Sequence, residues 1–210
     1  PAVHQPLDLP VCNGAVTRHL IYHLFPAKHS DQWQWNLDEL LKRINIFNGR
    51  RIIGLSISRA TVPAQQVREY LDGHGFEFVE VSNDPKRGEL TSFTTMMQRI
   101  QTEDPNAIVF YAHGKGTSCA PGGKTLSGGR LPDMRRWADA MYRGCLDNMG
   151  RVDAALESQA FAGGFRRNYG NGRWFYSGTF FWFRAAAVFG RKWKITSKQR
   201  WAVEFWPATM

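Results

Sequence analysis

Apolar and polar positions along the chain set out a regular alternation of elements. "HLIYHLF" (19 to 25) is a short continuous apolar run that stops at Pro26, the pattern of a buried strand. In "WNLDELLKRINIF", Leu37, Leu40, Leu41, Ile44 and Phe47 recur at helical spacing. Asn36 stands where a helix cap would, with Glu39 closing a capping box and Trp35 stapling onto Leu40. The β-branched "RIIGLSIS" (51 to 58) predicts a strand. "PAQQVREYLDGHG" then predicts a helix with Pro at its start and Gly at its end. "FEFVEV" (76 to 81) alternates as a strand. "LTSFTTMMQRIQ" places Leu90, Phe93, Met96, Met97 and Ile100 on one helical face, and "AIVFYA" (107 to 112) is a fourth strand.

Strands alternating with helices predict a single-domain α/β fold, a mostly parallel central sheet with helices on both faces, in which residues 1–18 are an N-terminal extension and 19–210 the domain. Ligands of such sheets sit beyond the carboxyl ends of the strands. Those ends carry Lys28 and His29, Arg59, then Asn83, Asp84 and Lys86, then His113 and Lys115, which predicts one basic rim. After the fourth strand, residues 114 to 130 hold six glycines and read as a binding loop or lid.

The segment from 131 to 150 follows as one amphipathic helix, its stripe running through Leu131, Met134, Trp137, Met141, Cys145, Leu146 and Met149. "GNGRWFYSGTFFWFRAAAVFG" reads as a turn, one strand through about Phe181, and a short helix ending at Gly190. "KQRWAVEFWP" closes the chain.

Composition narrows the chemistry. An apolar fraction of 43%, with 14 Phe and 8 Trp, suits a folded domain rather than a disordered one. The net charge of +9 favours anionic partners. Cys12, Cys119 and Cys145 are odd in number and lack metal-ligand spacing, which points to reduced thiols in a cytoplasmic compartment; the basic charge also allows attachment to a membrane surface. No apolar run is long enough to span a bilayer.

Several chemistries fall away. Gly123-Lys124-Thr125 ends like a phosphate loop, but Ser118 occupies the place of that motif's first glycine and no helix begins after Thr125. No Gly-x-Gly-x-x-Gly follows the first strand, so dinucleotide-dependent hydride transfer is not indicated. Ser118 and Cys119 lie near His113 in a loose glycine-rich loop, unlike the sharp turn that presents a nucleophile. Zinc-finger spacing, basic heptads and RNA-binding signatures are missing, which makes nucleic acid an unlikely partner.

Three stretches taken together, "YAHGKG" (111 to 116), "WFYSGTFFWFRAAAVF" (174 to 189) and "RWAVEFWP" (200 to 207), resemble a family of glycosyltransferases with a nucleotide-diphospho-sugar transferase (GT-A-like) fold. The resemblance runs from about residue 19 to 207 and lies in the order of its motifs. His113, Lys115 and Gly116 match the first motif and Trp137 the helix that follows. Ser177, Gly178, Phe180 and Trp182 match the aromatic strand, and Arg200, Glu204 and Trp206 the terminal motif. Phe181 and Phe183 depart from it, where a second Trp and a small residue belong.

The resemblance implies transfer of a sugar from a nucleotide-diphosphate donor to a hydroxyl of a glycan or other acceptor. Such enzymes commonly neutralise the departing diphosphate with a metal (Mn or Mg) held by Asp-x-Asp, and this chain contains no Asp-x-Asp. Cationic side chains are the expected substitute: Lys115 first, with Arg200, Lys198 and Arg59 as helpers, and Gly116 giving the backbone room at the phosphates. Asp84 is the candidate if a metal binds. Glu204 is the expected general base, with His113 beside it in a catalytic role. Ser177 and Gly178 would floor the sugar or acceptor, and Trp182 and Trp206 would stack on it or pack in the core. His19 and His23, in the first strand, read as core histidines. The different class of reading is a non-catalytic basic module on the same fold, binding a polyanion such as nucleic acid or an anionic glycan.

Overall fold

The computed structural model describes residues 16–101, 104, 106–118, 131–170 and 172–210. Most of the extension, Cys12, Cys119 and residues 119–130 of the glycine-rich loop therefore lie outside the described residues. The chain runs β1 (Arg18–Leu24), α1 (Gln32–Leu41), β2 (Arg51–Ile57), α2 (Ala64–Tyr70), β3 (Phe76–Ser82), α3 (Leu90–Ile100) and β4 (Ile108–His113). The second half continues with α4 (Leu131–Leu146), α5 (Met149–Ser158), β5 (Phe161–Ala162), β6 (Phe165–Gly170), β7 (Arg173–Ser177), β8 (Phe181–Arg184), α6 (Ala185–Phe189) and α7 (Ala202–Phe205).

Six strands form the main sheet in the order β3-β2-β1-β4-β8-β5. The first four are parallel, and β8 runs antiparallel to both β4 and β5. Strands β6 and β7 pair separately as an antiparallel ribbon. Successive residues of one strand feed opposite faces. Leu20, Tyr22, Phe110 and Trp182 pack under α1, α2, α4 and α5, while Ile21, Val109, Tyr111, Phe181 and Phe183 pack under α3, α6 and α7. Burial on both faces is why these strands read as unbroken apolar runs. The predicted mostly parallel α/β sheet with helices on both faces is the fold observed.

Three local expectations are corrected. Helix α1 begins at Gln32, with Ser30 Oγ accepting the Gln32 N–H at 3.1 Å, so Asn36 and Glu39 lie inside it and form no capping box. Asn36 is fully buried, and its amide is needed at the site described below. The long amphipathic segment is two helices, because Asn148 caps a new one by accepting the Arg151 N–H. The single strand expected through Phe181 is two strands in different sheets, β7 and β8, separated by a turn in which Gly178 has φ +89° and Thr179 φ +58°. The short helix ending at Gly190 is present. Among the described residues no helix is long and apolar enough to cross a membrane.

Candidate functional site

Strand order reverses between β1 and β4: the chain leaves β1 toward β2 and β3, then crosses back to lay β4 on the other side. In doubly wound sheets the two flanking connections part at this point and open a crevice. His23 at the end of β1 and His113 at the end of β4 are register partners across it. A cleft of about 650 Å³ opens here, and His113, Lys115, Gly116, Arg200 and Glu204 all line it. Residues from the fourth strand end and from the C-terminal segment, distant in sequence, thus meet in one place.

The short stretch after β4 is held firmly. Two amides from α1 donate to the Lys115 carbonyl, Gln32 Nε2 at 2.9 Å and Asn36 Nδ2 at 2.9 Å. Thr117 Oγ1 donates to the Gly114 carbonyl at 3.0 Å. Gly116 has φ +77°, and a side chain there would also press on Met134. The Lys115 ammonium rests 4.0 Å from the centre of the Trp137 ring on α4. Arg200 is tied across the cleft by donating to the Pro85 carbonyl at 3.0 Å.

Two acids share the cleft with these cations. Glu204 accepts the Gly178 N–H on Oε1 at 3.3 Å. Glu89, just before α3, is only 7% exposed and lines the same cleft. Its Oε2 accepts from Tyr111 Oη at 2.9 Å and its Oε1 from Thr179 Oγ1 at 3.0 Å, and His113 Nδ1 stands 3.6 Å from Oε2. It reaches this position because it stands at the start of α3, which packs against β1, β2 and β3.

The environment sorts these groups. Burial pushes the Glu89 carboxyl up to about 7; the Tyr111 and Thr179 hydrogen bonds and Lys115 oppose the rise, and the Glu204 charge adds to it. Burial raises Glu204 as well, against Lys115, the Gly178 N–H and Arg167. Burial holds His113 well below its ordinary value, helped by Lys115, His23 and Arg200, with the Gly178 backbone opposing. His23 is lowered to about 4, first by burial and then by Arg200. Both histidines are therefore neutral near pH 7, and the positive charge of the cleft resides on Lys115 and Arg200.

Other expected site residues lie elsewhere. Arg59 is exposed in the turn after β2, a strand away from the reversal point, and it does not line the cleft. Lys198, Lys28, His29 and Lys86 are exposed and outside the lining too, so of the anticipated rim only Asn83, His113 and Lys115 converge. Trp182 has no exposed surface; its ring packs against Phe47 and Phe110 and its Nε1 donates to the Cys145 carbonyl at 2.8 Å. Trp206 is 3% exposed, packs among Phe93, Phe161 and Phe183, and donates to the Trp193 carbonyl. Both are core residues with no face open to a sugar. Ser177 and Gly178 are not in the cleft lining; Gly178 acts from behind, through Glu204.

Asp84 lies outside the lining, and its Oδ1 accepts from the Lys86 N–H. Among the described residues no three His, Cys, Asp or Glu side chains come together in one cluster.

Sequence reading passed over several residues of the site. Glu89 sits in a charged stretch, "KRGEL", that resembles any solvated helix start, and nothing local distinguishes it. His23 lines the cleft, its Nδ1 2.7 Å from Ser92 Oγ, although its strand reads as core. His19 does behave as a core histidine, its Nδ1 accepting the Arg50 N–H at 2.9 Å. Trp201 is 54% exposed and lines the cleft. It is the tryptophan of the terminal motif that faces the site, in place of Trp206.

Fold and site together define an α/β protein with a charged cleft at the reversal point of a mostly parallel sheet. No protein-family model matches the chain, and no curated protein does. Among solved structures it is similar to 4-diphosphocytidyl-2C-methyl-D-erythritol synthase from Anaerococcus prevotii, with 9% sequence identity and a TM-score of 0.42 over 90% of this chain and 84% of that one. A likeness that loose carries nothing about the chemistry of this cleft.

Proposed function

We propose that the protein is a nucleotide-sugar-dependent glycosyltransferase, moving a sugar from a nucleotide-diphosphate donor to a hydroxyl of a glycan or other acceptor. The observation that carries this reading is the meeting of Lys115, Arg200 and Glu204 in one cleft at the carboxyl ends of β1 and β4. Two fixed cations suit a diphosphate, whose charge grows as the sugar departs. A carboxylate beside them suits removal of the acceptor proton. The alternative, a basic module for polyanions, is disfavoured by the same cleft, where the Glu204 carboxylate stands beside the cations.

In mechanism, Lys115 and Arg200 hold the diphosphate oxygens, the ammonium steadied over Trp137 and the guanidinium by Pro85. Glu204 takes the proton from the acceptor hydroxyl as its oxygen attacks the sugar carbon. Neutral His23 and His113 bound the site without adding charge.

The test is a thermal shift and affinity measurement with uridine and guanosine diphosphates, with and without manganese. A specific stabilisation is expected, and Lys115→Ala weakens it roughly 10–100-fold, the loss of one charge-assisted hydrogen bond. Arg59→Ala leaves it unchanged. Binding that is indifferent to the base, falls steeply with salt and ignores Lys115→Ala would mark a polyanion module instead.

A further inference from the structure

One turn grips both acids of the cleft. Between β7 and β8, Gly178 gives its N–H to Glu204 and the next residue, Thr179, gives its hydroxyl to Glu89. Thr179 has φ +58°, the one non-glycine residue with positive φ among the described residues. A β-branched side chain is an outlier in that region, and such strain persists where the surroundings impose it, often at functional sites. Here the imposed conformation directs Oγ1 onto Glu89 Oε1 at 3.0 Å while the preceding amide meets Glu204 Oε1 at 3.3 Å.

We propose that Glu89 is a second catalytic carboxyl of this cleft, the general acid that protonates the departing diphosphate oxygen, paired through the Gly178–Thr179 turn with Glu204 as the base. The proposal rests on the glycosyl-transfer reading above. As the bond from the sugar carbon to the diphosphate oxygen breaks, its electron pair goes to that oxygen, which takes the Glu89 proton. As the acceptor oxygen bonds to the same carbon, its proton passes to Glu204. Solvent then returns a proton to Glu89 and removes one from Glu204, so the protein ends unchanged.

Placement supports the division of roles. Glu89 is nearly covered and faced by a second carboxylate, conditions that favour its neutral form and outweigh the opposing hydrogen bonds from Tyr111 and Thr179. Glu204 has Lys115, Arg167 and the Gly178 N–H on its charged form. Burial raises both carboxyls, but Glu89 is nearly covered and Glu204 half-buried, and two carboxyls in unequal surroundings are a usual signature of an acid and a base sharing a site. The groups facing Glu89 are Tyr111, His113 and Lys115 from β4 and its end, Thr179 from the turn, and Glu204 from α7. The histidine is neutral and its protonation is disfavoured, which leaves Glu89 as the proton carrier near pH 7.

The experiment combines infrared titration of the carboxylic-acid carbonyl band with pH–rate profiles of nucleotide-sugar turnover. In the wild type a protonated-acid band should titrate near neutral pH. It should be missing in Glu89→Gln and move to lower pH in Glu204→Gln. The wild-type rate should be bell-shaped. Glu89→Gln should lose about 10²–10³-fold in kcat and its alkaline limb, with nucleoside-diphosphate affinity kept. Tyr111→Phe, which removes a bond to the charged form, should keep the fold and shift the alkaline limb to higher pH. A wild type without the neutral-pH band, or Glu89→Gln turning over normally in an active enzyme, overturns the general-acid role alone. A wild type that neither binds nucleoside diphosphates nor turns over any nucleotide sugar overturns the transfer reading, and the proposal with it.

Discussion

Glu89→Gln tests the buried carboxyl through stability, independently of substrate. Its value rises from 4.5 to about 7 on folding, with burial as the first cause and Glu204 assisting. At about 1.4 kcal/mol per pH unit, that rise corresponds to about 3 kcal/mol. The sign follows from which state ionises first. Below pH 4.5 the acid is neutral in both the folded and unfolded chain, and its contribution is fully present. As pH climbs from 4.5 to about 7, the unfolded chain gives up its proton while the folded one keeps it, so stability falls, and above about 7 the loss is complete. Glutamine is a neutral side chain of the same size that does not titrate. Subtracting the unfolding free energy of the wild type from that of Glu89→Gln, by urea denaturation at half-unit pH steps, cancels every other titration the two share. The difference should grow in the variant's favour by about 3 kcal/mol between roughly pH 4.5 and 7, then level off. A difference independent of pH would show that Glu89 ionises in the fold as it does in water, and the placement of a proton on it would be refuted.

Two further substitutions separate core from site. Trp182→Ala should cost about 3–5 kcal/mol in unfolding free energy by leaving a cavity between Phe47 and Phe110, while a folded sample keeps its affinity for nucleoside diphosphates; lost affinity without lost stability would contradict the core placement. Gly178→Ala places a methyl 2.6 Å from Met141 Sδ at φ +89°, and should lower stability by about 1–2 kcal/mol and disturb Glu204, read as a fall in kcat larger than any change in donor affinity.

The first four strands and three helices were legible because each carries its own periodicity, and strands buried on both faces announce themselves as apolar runs. The second half was less legible for a reason visible at Gly178 and Thr179. A strand that stops and gives way to a strand of another sheet within a few residues looks, in "FYSGTFFWF", like one aromatic run, and the break depends on two positive φ values that only the tertiary surroundings impose. The capping expectation failed similarly: Asn36 has the right chemistry for a helix start, but its amide is used inside the helix to hold Lys115.

By itself the sequence determined the alternating α/β order and the ends of the strands at which polar groups gather. Those properties are local or nearly so, set by side-chain period and by short neighbouring residues. The tertiary structure decided which of the strand ends share a cleft, because strand order and not chain order brings β1 beside β4 and leaves the Arg59 turn a strand away. It also decided how far burial raises the Glu89 carboxyl. Burial and the nearness of Glu204 to Glu89 are distances through space between residues more than a hundred positions apart, and no periodicity in the chain records them.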